Sequence, residues 1–156
     1  TIVAVGRIKE KYLTAGIAEY VKRLGPFCRL DIVEVAEERM PDNPSAAEKA
    51  KVLEREGERI LKHIRPDSYF IVLDLAGKEL SSEELAAKLA SLTVNGVSDI
   101  TFAIGGAFGL SPAVIAAAQE RLSFSRMTFT HQIIRLLLLE QIYRAFKINR
   151  GEPYHW

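Results

Sequence analysis

The chain has 156 residues, of which 48% are hydrophobic and 26% are charged, and this is typical of one compact domain with its own buried core. Its 21 lysines and arginines nearly balance its 20 aspartates and glutamates, which disfavours a polybasic nucleic-acid binder. The one cysteine, Cys28, excludes an intramolecular disulfide, and no uncharged apolar run is long enough to span a membrane. We therefore expect a single soluble, cytoplasmic domain over residues 1–156.

Five short apolar runs in the sequence predict β-strands. The run from residue 69 to 73 is apolar throughout and rich in residues that favour strands, which is typical of a central strand in a parallel sheet. The predicted strands are Ile2–Val5, Leu30–Val35, Tyr69–Leu73, Ile100–Ile104 and Phe124–Phe129.

Five helical patterns follow these strands in turn. Ser45 and Glu48 form a capping box at the start of the second helix, and Pro112 occupies the first position of the fourth, where proline is favoured. The predicted helices end at Gly25-Pro26, span residues 45–64, begin at Ser81 or Ser82, begin at Ser111-Pro112, and span residues 132–148.

The alternation of strands and helices predicts an α/β fold, with a mostly parallel sheet and helices on both faces. The last predicted helix is unusual because its apolar residues cover every side. A helix of that kind is buried on all sides, so we expect it inside the fold or in a homodimer interface. Its apolar residues are Ile133, Ile134, Leu136–Leu139, Ile142, Tyr143 and Phe146.

Charge is distributed unevenly along the chain. Residues 121–156 contain six lysines and arginines against two glutamates, whereas the first 120 residues contain 15 basic and 18 acidic side chains. A basic C-terminal region can bind a polyanion locally even in a neutral protein. Helix ends also favour basic residues without any ligand, so charge alone leaves both interpretations open.

Three loops follow predicted strands at the carboxyl edge of the sheet, where open α/β sheets bind ligands. They span residues 73–78, 104–112 and 124–131. Gly105-Gly106 allows close approach of the backbone to a ligand, but a tight turn explains these glycines equally well. The pattern is not the dinucleotide fingerprint, because Ile104 stands where its first glycine is required. Asp74 is a candidate for a catalytic carboxylate or for a residue that orients its loop.

The histidines predict no metal site, because His63, His131 and His155 are scattered and Cys28 has no partner motif. The C-terminal segment, residues 149–156, offers a cation, aromatic rings and an imidazole after a Gly-x-Pro turn. These groups suit an unstacked base and its phosphate. A disordered tail, or Trp156 packed on its own domain, remains the alternative.

Several stretches match one known family: Val3–Gly6, Glu19-Tyr20, Glu56–Glu58, Leu73–Lys78, Ile104–Pro112, Leu136–Arg144 and Pro153–His155. Through them the chain resembles the RlmH family of ribosomal RNA large-subunit methyltransferases, within the SPOUT superfamily. The resemblance spans the whole chain, and the glycine loop together with the Pro-Tyr-His ending is specific. Ala76 stands where the family often has proline, and Trp156 replaces a more usual basic residue.

The resemblance implies an α/β fold with a deep trefoil knot in its C-terminal part, which sequence patterns do not reveal because knots are rare. It also implies a homodimer, no metal, and S-adenosyl-L-methionine held by the knot loops. Carried over by position, the cofactor contacts are Leu73, Gly105, Phe124, Ser125, Arg126, Met127, Thr128 and Phe129.

The reaction implied by the resemblance is methyl transfer to N3 of a pseudouridine in 23S rRNA within the ribosome. Arg144 and His155 are candidates to stabilise charge on the uracil, and Tyr154 is a candidate to stack on it. We expect a composite active site, in which the tail of one subunit reaches the cofactor pocket of the other. The alternatives are a non-enzymatic RNA-binding dimer and a SPOUT methyltransferase acting on tRNA.

Overall fold

The computed structural model describes residues 1–155, and within them five strands alternate with five helices. The strands are β1 (Ile2–Val5), β2 (Ile32–Val35), β3 (Tyr69–Glu79), β4 (Ile100–Ile104) and β5 (Glu120–Ser123). The helices are α1 (Lys11–Leu24), α2 (Ala46–Leu61), α3 (Ser82–Val94), α4 (Pro112–Ala117) and α5 (His131–Asn149).

The strands form one sheet in the order β2-β1-β4-β3-β5, and every paired neighbour in this sheet is parallel. The predicted α/β fold is therefore confirmed. Because all strands run the same way, the loops that follow them gather at the carboxyl edge of the sheet, which is the edge where such folds bind ligands.

Successive residues of the central strands point to opposite faces of the sheet, and each face carries its own apolar core. On one face, Ile2 and Ile71 pack with residues of α1, α3 and α5. On the other face, Val3 and Val72 pack with residues of α2 and α4. The predicted arrangement with helices on both faces is confirmed.

The helix starts follow the predicted capping chemistry. Ser45 and Glu48 form a complete capping box before α2, and Ser81, rather than Ser82, caps α3 with Glu84 as its partner. Ser111 accepts a hydrogen bond from the backbone N–H of Val114 at the start of α4. These side chains satisfy backbone donors that have no partner within the helix.

The predicted strand Phe124–Phe129 is wrong, because the fifth strand is the preceding segment, Glu120–Ser123. Side-chain hydrogen bonds turn the backbone after Ser123 instead of continuing the sheet. Its hydroxyl donates to the carbonyl of Ser125, and the hydroxyl of Ser125 accepts from the backbone N–H of Met127. Local serine bonds of this kind compete with strand pairing, and here they convert the predicted strand into a loop.

Strand β3 is longer than predicted because the chain leaves the sheet and returns. Leu73 and Lys78 both lie opposite Leu122 of β5. The four residues between them, 74–77, therefore bulge out at the carboxyl edge.

The last helix, α5, packs against α1 and α3, and Leu138, Leu139 and Ala145 are buried. Other apolar residues of α5, including Ile133, Leu136 and Leu137, remain partly exposed. A single chain therefore does not bury this helix on every side. Of the two predicted environments, the interior of one chain accounts for only part of the helix, and the homodimer interface stays a prediction.

Between β5 and α5 the chain crosses the carboxyl edge of the sheet. Strand β5 lies at one border, next to β3, whereas His131 at the start of α5 lies close to Gly6, directly after β1. The connection therefore passes the ends of β3 and β4. This crossing is the segment that a C-terminal knot would involve, and the knot itself stays a prediction.

Candidate active site

A cavity of about 440 Å³ opens at the carboxyl ends of β3, β4 and β5. Its volume lies in the range of small-molecule and cofactor sites. We call it the carboxyl-edge cavity. All three loops singled out in the sequence line it, through residues 73–75, 104–110, 122–125 and 127–129, together with His131 and Ile134 from the start of α5.

Glycines shape one wall of the carboxyl-edge cavity. A Cβ atom on Gly105 would lie 2.3 Å from the carbonyl oxygen of Gly109, so no other residue fits there without moving the backbone. Gly109 has a positive φ of 84°, and its backbone N–H donates to the carbonyl of Gly106. The loop is thus folded on itself, and its glycines leave backbone atoms open to a ligand beside the side chains of Phe108 and Leu110.

A buried carboxylate lies beneath this glycine loop. Glu56 is 5% exposed and accepts a 2.9 Å hydrogen bond from the backbone N–H of Glu38. Its Oε1 is 3.2 Å from the position that a Cβ of Gly106 would occupy. Burial raises the pKa of Glu56 because the apolar surroundings disfavour the charged form. Glu56 therefore fills the space behind the loop and ties it to the segment after β2.

The structure brings seven of the eight predicted cofactor residues together in the carboxyl-edge cavity. The exception, Arg126, is exposed and does not line the cavity. The seven that line it are Leu73, Gly105, Phe124, Ser125, Met127, Thr128 and Phe129.

Asp74 holds its own loop in place. The guanidinium of Arg121, on β5, donates to its carboxylate. This ion pair joins the bulge of β3 to the neighbouring strand, and it favours the orienting role of Asp74 over the catalytic one.

His131 belongs to this cavity, although the sequence analysis assigned it no role. It is the first residue of α5 and lines the carboxyl-edge cavity. Its Nε2 is 3.9 Å from the position that a Cβ of Gly6 would occupy. Burial lowers the pKa of His131, while Glu37 opposes that shift and Arg135 adds to it. The available signal was positional, since His131 ends the third candidate loop.

The three predicted catalytic residues, Arg144, Tyr154 and His155, gather in a second place, which we call the tail cluster. The Arg144 guanidinium lies 4.8 Å from the centre of the Tyr154 ring, within the range of a cation–π contact. One of its N–H groups donates to Nδ1 of His155 at 3.1 Å. Tyr154 and His155 are therefore packed on their own domain, whereas Trp156, for which packing was the alternative, lies outside the described residues.

The hydrogen bonds of the tail cluster determine which ring nitrogen of His155 carries a proton. A guanidinium can only donate, so Nδ1 of His155 accepts from Arg144, and Nε2 carries the proton that it donates to Glu83 at 2.6 Å. The hydrogen bond to Glu140 raises the pKa of Arg144. Burial and the contact with Tyr20 raise the pKa of Tyr154, whose hydroxyl lies 3.0 Å from that of Tyr20.

The tail cluster and the carboxyl-edge cavity do not meet within one chain. His131 begins α5 beside the cavity, and Arg144 lies thirteen residues further along the same helix. At 1.5 Å per residue, this separation is about 20 Å along the helix axis. Neither Tyr154 nor His155 lines the cavity.

A larger cavity, of about 710 Å³, opens at the opposite edge of the sheet, where Thr1, Cys28 and Asp99 contribute to its walls. It contains none of the predicted site residues and lies at the amino ends of the strands. Ligands of parallel α/β sheets bind at the other edge, so the carboxyl-edge cavity is the candidate active site.

Residues 1–155 contain neither a candidate metal centre nor a candidate membrane span. No group of three or more His, Cys, Asp or Glu side chains there is placed to hold a metal ion. No helix in that range has the length and apolar character needed to cross a bilayer.

Comparison with known proteins places the chain in a family. Residues 1–155 match a family described as "Predicted SPOUT methyltransferase". The chain belongs to the SPOUT methyltransferase family. It is 59% identical to the "Ribosomal RNA large subunit methyltransferase H" of Pelotomaculum thermopropionicum, over 100% of this chain and 98% of that protein.

Two further relatives carry the same name. The protein of Carboxydothermus hydrogenoformans is 59% identical and that of Bifidobacterium adolescentis 55% identical, each over 99% of this chain and 98% of the relative. Among solved structures, "a probable methylase family protein from Haemophilus influenzae Rd KW20" superposes with a TM-score of 0.55. The superposition covers 99% of this chain and 69% of that protein, and the two sequences are 15% identical. This likeness therefore supports the fold alone.

As a SPOUT methyltransferase, the chain requires a methyl donor, and the carboxyl-edge cavity is suited to hold one. It combines backbone groups of the glycine loop with the apolar side chains of Leu73 and Phe124. Backbone donors and acceptors can bind the edge of a purine base, while apolar side chains cover its faces.

Proposed function

We propose that this SPOUT methyltransferase uses S-adenosyl-L-methionine to methylate N3 of a pseudouridine in 23S rRNA, within the assembled ribosome in the cytoplasm. The observation that carries this proposal is the full-length match to proteins named ribosomal RNA large subunit methyltransferase H. The whole chain, residues 1–156, acts as one catalytic domain, and it needs no metal.

The carboxyl-edge cavity would hold the cofactor. The contact between Gly105 and Gly109 leaves no room for a side chain there, so the bound molecule would meet bare backbone on that wall. Leu73, Gly105 and residues 124–129 are the proposed contacts, with Arg126 at the outer surface of the loop. When bound, S-adenosyl-L-methionine supplies an electrophilic methyl group on a sulfonium.

The active site is composite and requires a homodimer. Within one chain the tail cluster lies about 20 Å along α5 from the start of that helix, beside which the cavity opens. A second copy brings its own tail to the cavity of the first. The partly exposed apolar residues of α5, such as Ile133 and Leu137, would be covered in the same contact, as is usual for homodimer interfaces.

The tail residues act on the target base. Loss of the imide proton to solvent leaves negative charge on N3 and on the adjacent carbonyl oxygens, and N–H groups of Arg144 can donate to those oxygens. The single N–H of His155, which donates to Glu83 in the free chain, can do the same by exchanging Glu83 for the base. Tyr154 offers an aromatic face for stacking. The hydrogen bonds to Glu140 and Glu83 fix Arg144 and His155 before substrate arrives, which reduces the entropy lost on binding.

The test is methylation of ribosomes from a strain that lacks the endogenous enzyme. We expect the purified chain with S-adenosyl-L-methionine to add one methyl group to a pseudouridine of 23S rRNA, detected by mass spectrometry of the digested RNA. Modification of tRNA instead would favour the other SPOUT reaction. Failure to bind S-adenosyl-L-methionine, free or with ribosomes, would favour an RNA-binding dimer without activity.

The catalytic roles are tested by Tyr154→Ala and His155→Ala. Both variants should lose most methylation while they still bind S-adenosyl-L-methionine, because the proposed cofactor contacts come from the three loops and the tail residues are proposed to contact the target base. Asp67→Ala, at an exposed turn remote from both places, is the control. Unchanged methylation in the tail variants would refute their role.

A further inference from the structure

The loop between β1 and α1, together with the first turn of α1, carries a concentration of unpaired positive charge. Arg7, Lys9 and Lys11 are all exposed, and among residues 1–155 no carboxylate lies within ion-pair distance of any of them. Tyr12, the next residue, is 66% exposed. We call Arg7, Lys9, Lys11 and Tyr12 the basic loop.

The basic loop lies beside the carboxyl-edge cavity. It begins directly after Gly6, whose Cβ position would be 3.9 Å from Nε2 of the cavity residue His131. Helices α1 and α5 run side by side in the same direction, because Gly16 faces Leu136 and Tyr20 contacts Tyr143. Their first turns therefore lie at the same edge of the sheet.

By contrast, the cations of the C-terminal region, which the sequence marked as an anion-binding candidate, are mostly neutralised. Arg126 is the one of the six that lacks a carboxylate partner within residues 1–155, and it is exposed on the cavity loop. The paired ones are Arg121 with Asp74, Arg135 with Glu34, Arg144 with Glu140, and Lys147 and Arg150 with Glu152.

Other unpaired cations extend the positive surface around the cavity mouth. Arg39 is exposed on the loop after β2, and the Lys49 ammonium lies 5.3 Å from the centre of the Phe108 ring, at the rim of the cavity. Glu10 and Glu37 lie on the same edge and reduce the charge. Glu34, which pairs with Arg135 and accepts from the backbone N–H of Ile8, lies there too, but the cations outnumber these three carboxylates.

We propose that the basic loop is the docking surface for the phosphate backbone of the substrate RNA. Resting on the proposed function, this assigns the RNA contact to the first loop of the chain in addition to its C-terminal tail. Three unpaired, exposed cations in five residues can contact neighbouring phosphates, and the exposed ring of Tyr12 offers a stacking face. A protein partner is disfavoured, because the centres of protein interfaces are depleted in lysine.

The experiment compares the triple variant Arg7→Ala/Lys9→Ala/Lys11→Ala with a control of equal charge change. The control, Lys22→Ala/Arg29→Ala/Lys62→Ala, removes three cations that have no carboxylate partner within residues 1–155 and lie away from the carboxyl-edge cavity. Both variants should bind S-adenosyl-L-methionine as the unmodified chain does, which calorimetry measures.

For methylation of ribosomes, we expect the basic-loop variant to raise KM by about tenfold or more at 0.15 M salt, with kcat changed much less. The dependence of log(kcat/KM) on log salt should become shallower by about two to three, because counterions are released at each phosphate contact. The control should leave both quantities close to those of the unmodified chain.

Equal KM values and salt slopes for the two variants would overturn the inference. Loss of the dimer in sedimentation by the basic-loop variant alone would also overturn it, since the loop would then join two copies of the chain. If the unmodified chain does not methylate ribosomes, the proposed function fails separately. Direct binding of the variants to ribosomal RNA then decides the docking role.

Discussion

Gly105 illustrates how one residue can determine whether the cofactor cavity forms. A methyl group there meets the backbone of Gly109 at 2.3 Å, and neither partner is a flexible side chain that could move away. We expect Gly105→Ala to weaken S-adenosyl-L-methionine binding by about tenfold or more, since overpacking costs about 1–3 kcal/mol. Calorimetry measures this, and the folded fraction is followed by circular dichroism.

Gly25→Ala is the matched control for Gly105→Ala. Gly25 lies at the end of α1 with a helical φ of −48°, where an added Cβ would lie 3.3 Å from the carbonyl oxygen of Lys22, and it is remote from the cavity. Cofactor affinity in this control should equal that of the unmodified chain. If Gly105→Ala bound as tightly as the control, the glycine loop would not form the cofactor wall.

His131 makes stability depend on pH in a predictable direction. Its pKa in the folded chain is below the ordinary value of 6.5 because of burial, so the unfolded chain binds the proton more tightly. The stabilisation is therefore complete above pH 6.5 and is lost as pH falls through the folded-state pKa. We expect His131→Gln to lose less stability than the unmodified chain between pH 7 and about 5.

Urea unfolding at a series of pH values measures this difference. His63→Gln, at an exposed site, is the control and should keep the steeper profile of the unmodified chain. Parallel profiles for His131→Gln and the unmodified chain would show that the environment of His131 is not desolvated.

At the scale of elements, the contact of α2 with α4 depends on a missing side chain. A Cβ on Gly57 would lie 2.4 Å from the hydroxyl of Ser111, which caps α4. Gly57→Ala should therefore destabilise the chain by about 1–3 kcal/mol through overpacking. Chemical denaturation gives the free energy of unfolding.

Ser111→Gly in the same background is the internal test of this contact. Glycine is itself an acceptable helix cap, and it removes the hydroxyl with which the methyl group introduced by Gly57→Ala would clash. We expect the double variant to be more stable than Gly57→Ala alone. If the changes in the free energy of unfolding were strictly additive, the Cβ at position 57 and the Ser111 hydroxyl would not interact.

Elements with a clear apolar pattern were predictable from the sequence, whereas β5 was not. Strands such as Ile2–Val5 and Ile100–Ile104 are apolar and buried, and their predicted bounds match the structure. Strand β5 reads Glu-Arg-Leu-Ser, because it borders the sheet and only Leu122 and Ser123 are buried. The more apolar segment after it, Phe124–Phe129, lines the carboxyl-edge cavity and does not pair with a neighbouring strand. Its apolar residues therefore indicated the candidate site and not a strand.

The candidate site was predictable loop by loop, but its arrangement in space was not. The glycine loop and Leu73 follow buried strands, so their place at one edge follows from parallel pairing. The role of His131 depends on α5 crossing back towards Gly6. The separation of the cavity from Arg144 depends on the direction of the same helix. Neither the path of α5 nor its direction can be predicted from local sequence patterns.

At the scale of the whole molecule, a composite site predicts complementation between two impaired chains, when S-adenosyl-L-methionine is kept far below the dissociation constant of the Gly105→Ala cavity. Gly105→Ala damages the cavity and His155→Ala damages the tail. In a mixed dimer, one site carries both lesions and the other carries none. Random pairing on co-expression should restore about one quarter of the activity per site, as two-fold symmetry requires.

Methylation of ribosomes by the co-expressed pair, compared with each variant alone, measures this recovery. A pair of Gly105→Ala chains carrying two different affinity tags is the control and should stay inactive. Absence of recovery from the mixed pair, with mixed dimers isolated by their tags, would mean that each chain completes its own site.

The buried Arg135 makes the packing of the last helix depend on the first two strands. This side chain is 2% exposed, and its guanidinium donates to the carbonyl of Gly6 and to Glu34, whose codons are read long before its own. Without these acceptors, the buried charge of Arg135 would be uncompensated, which would destabilise the fold. The last helix can therefore pack stably only on a β1–β2 pair that has already formed, and the order of synthesis, in which β1 and β2 come first, fits this requirement.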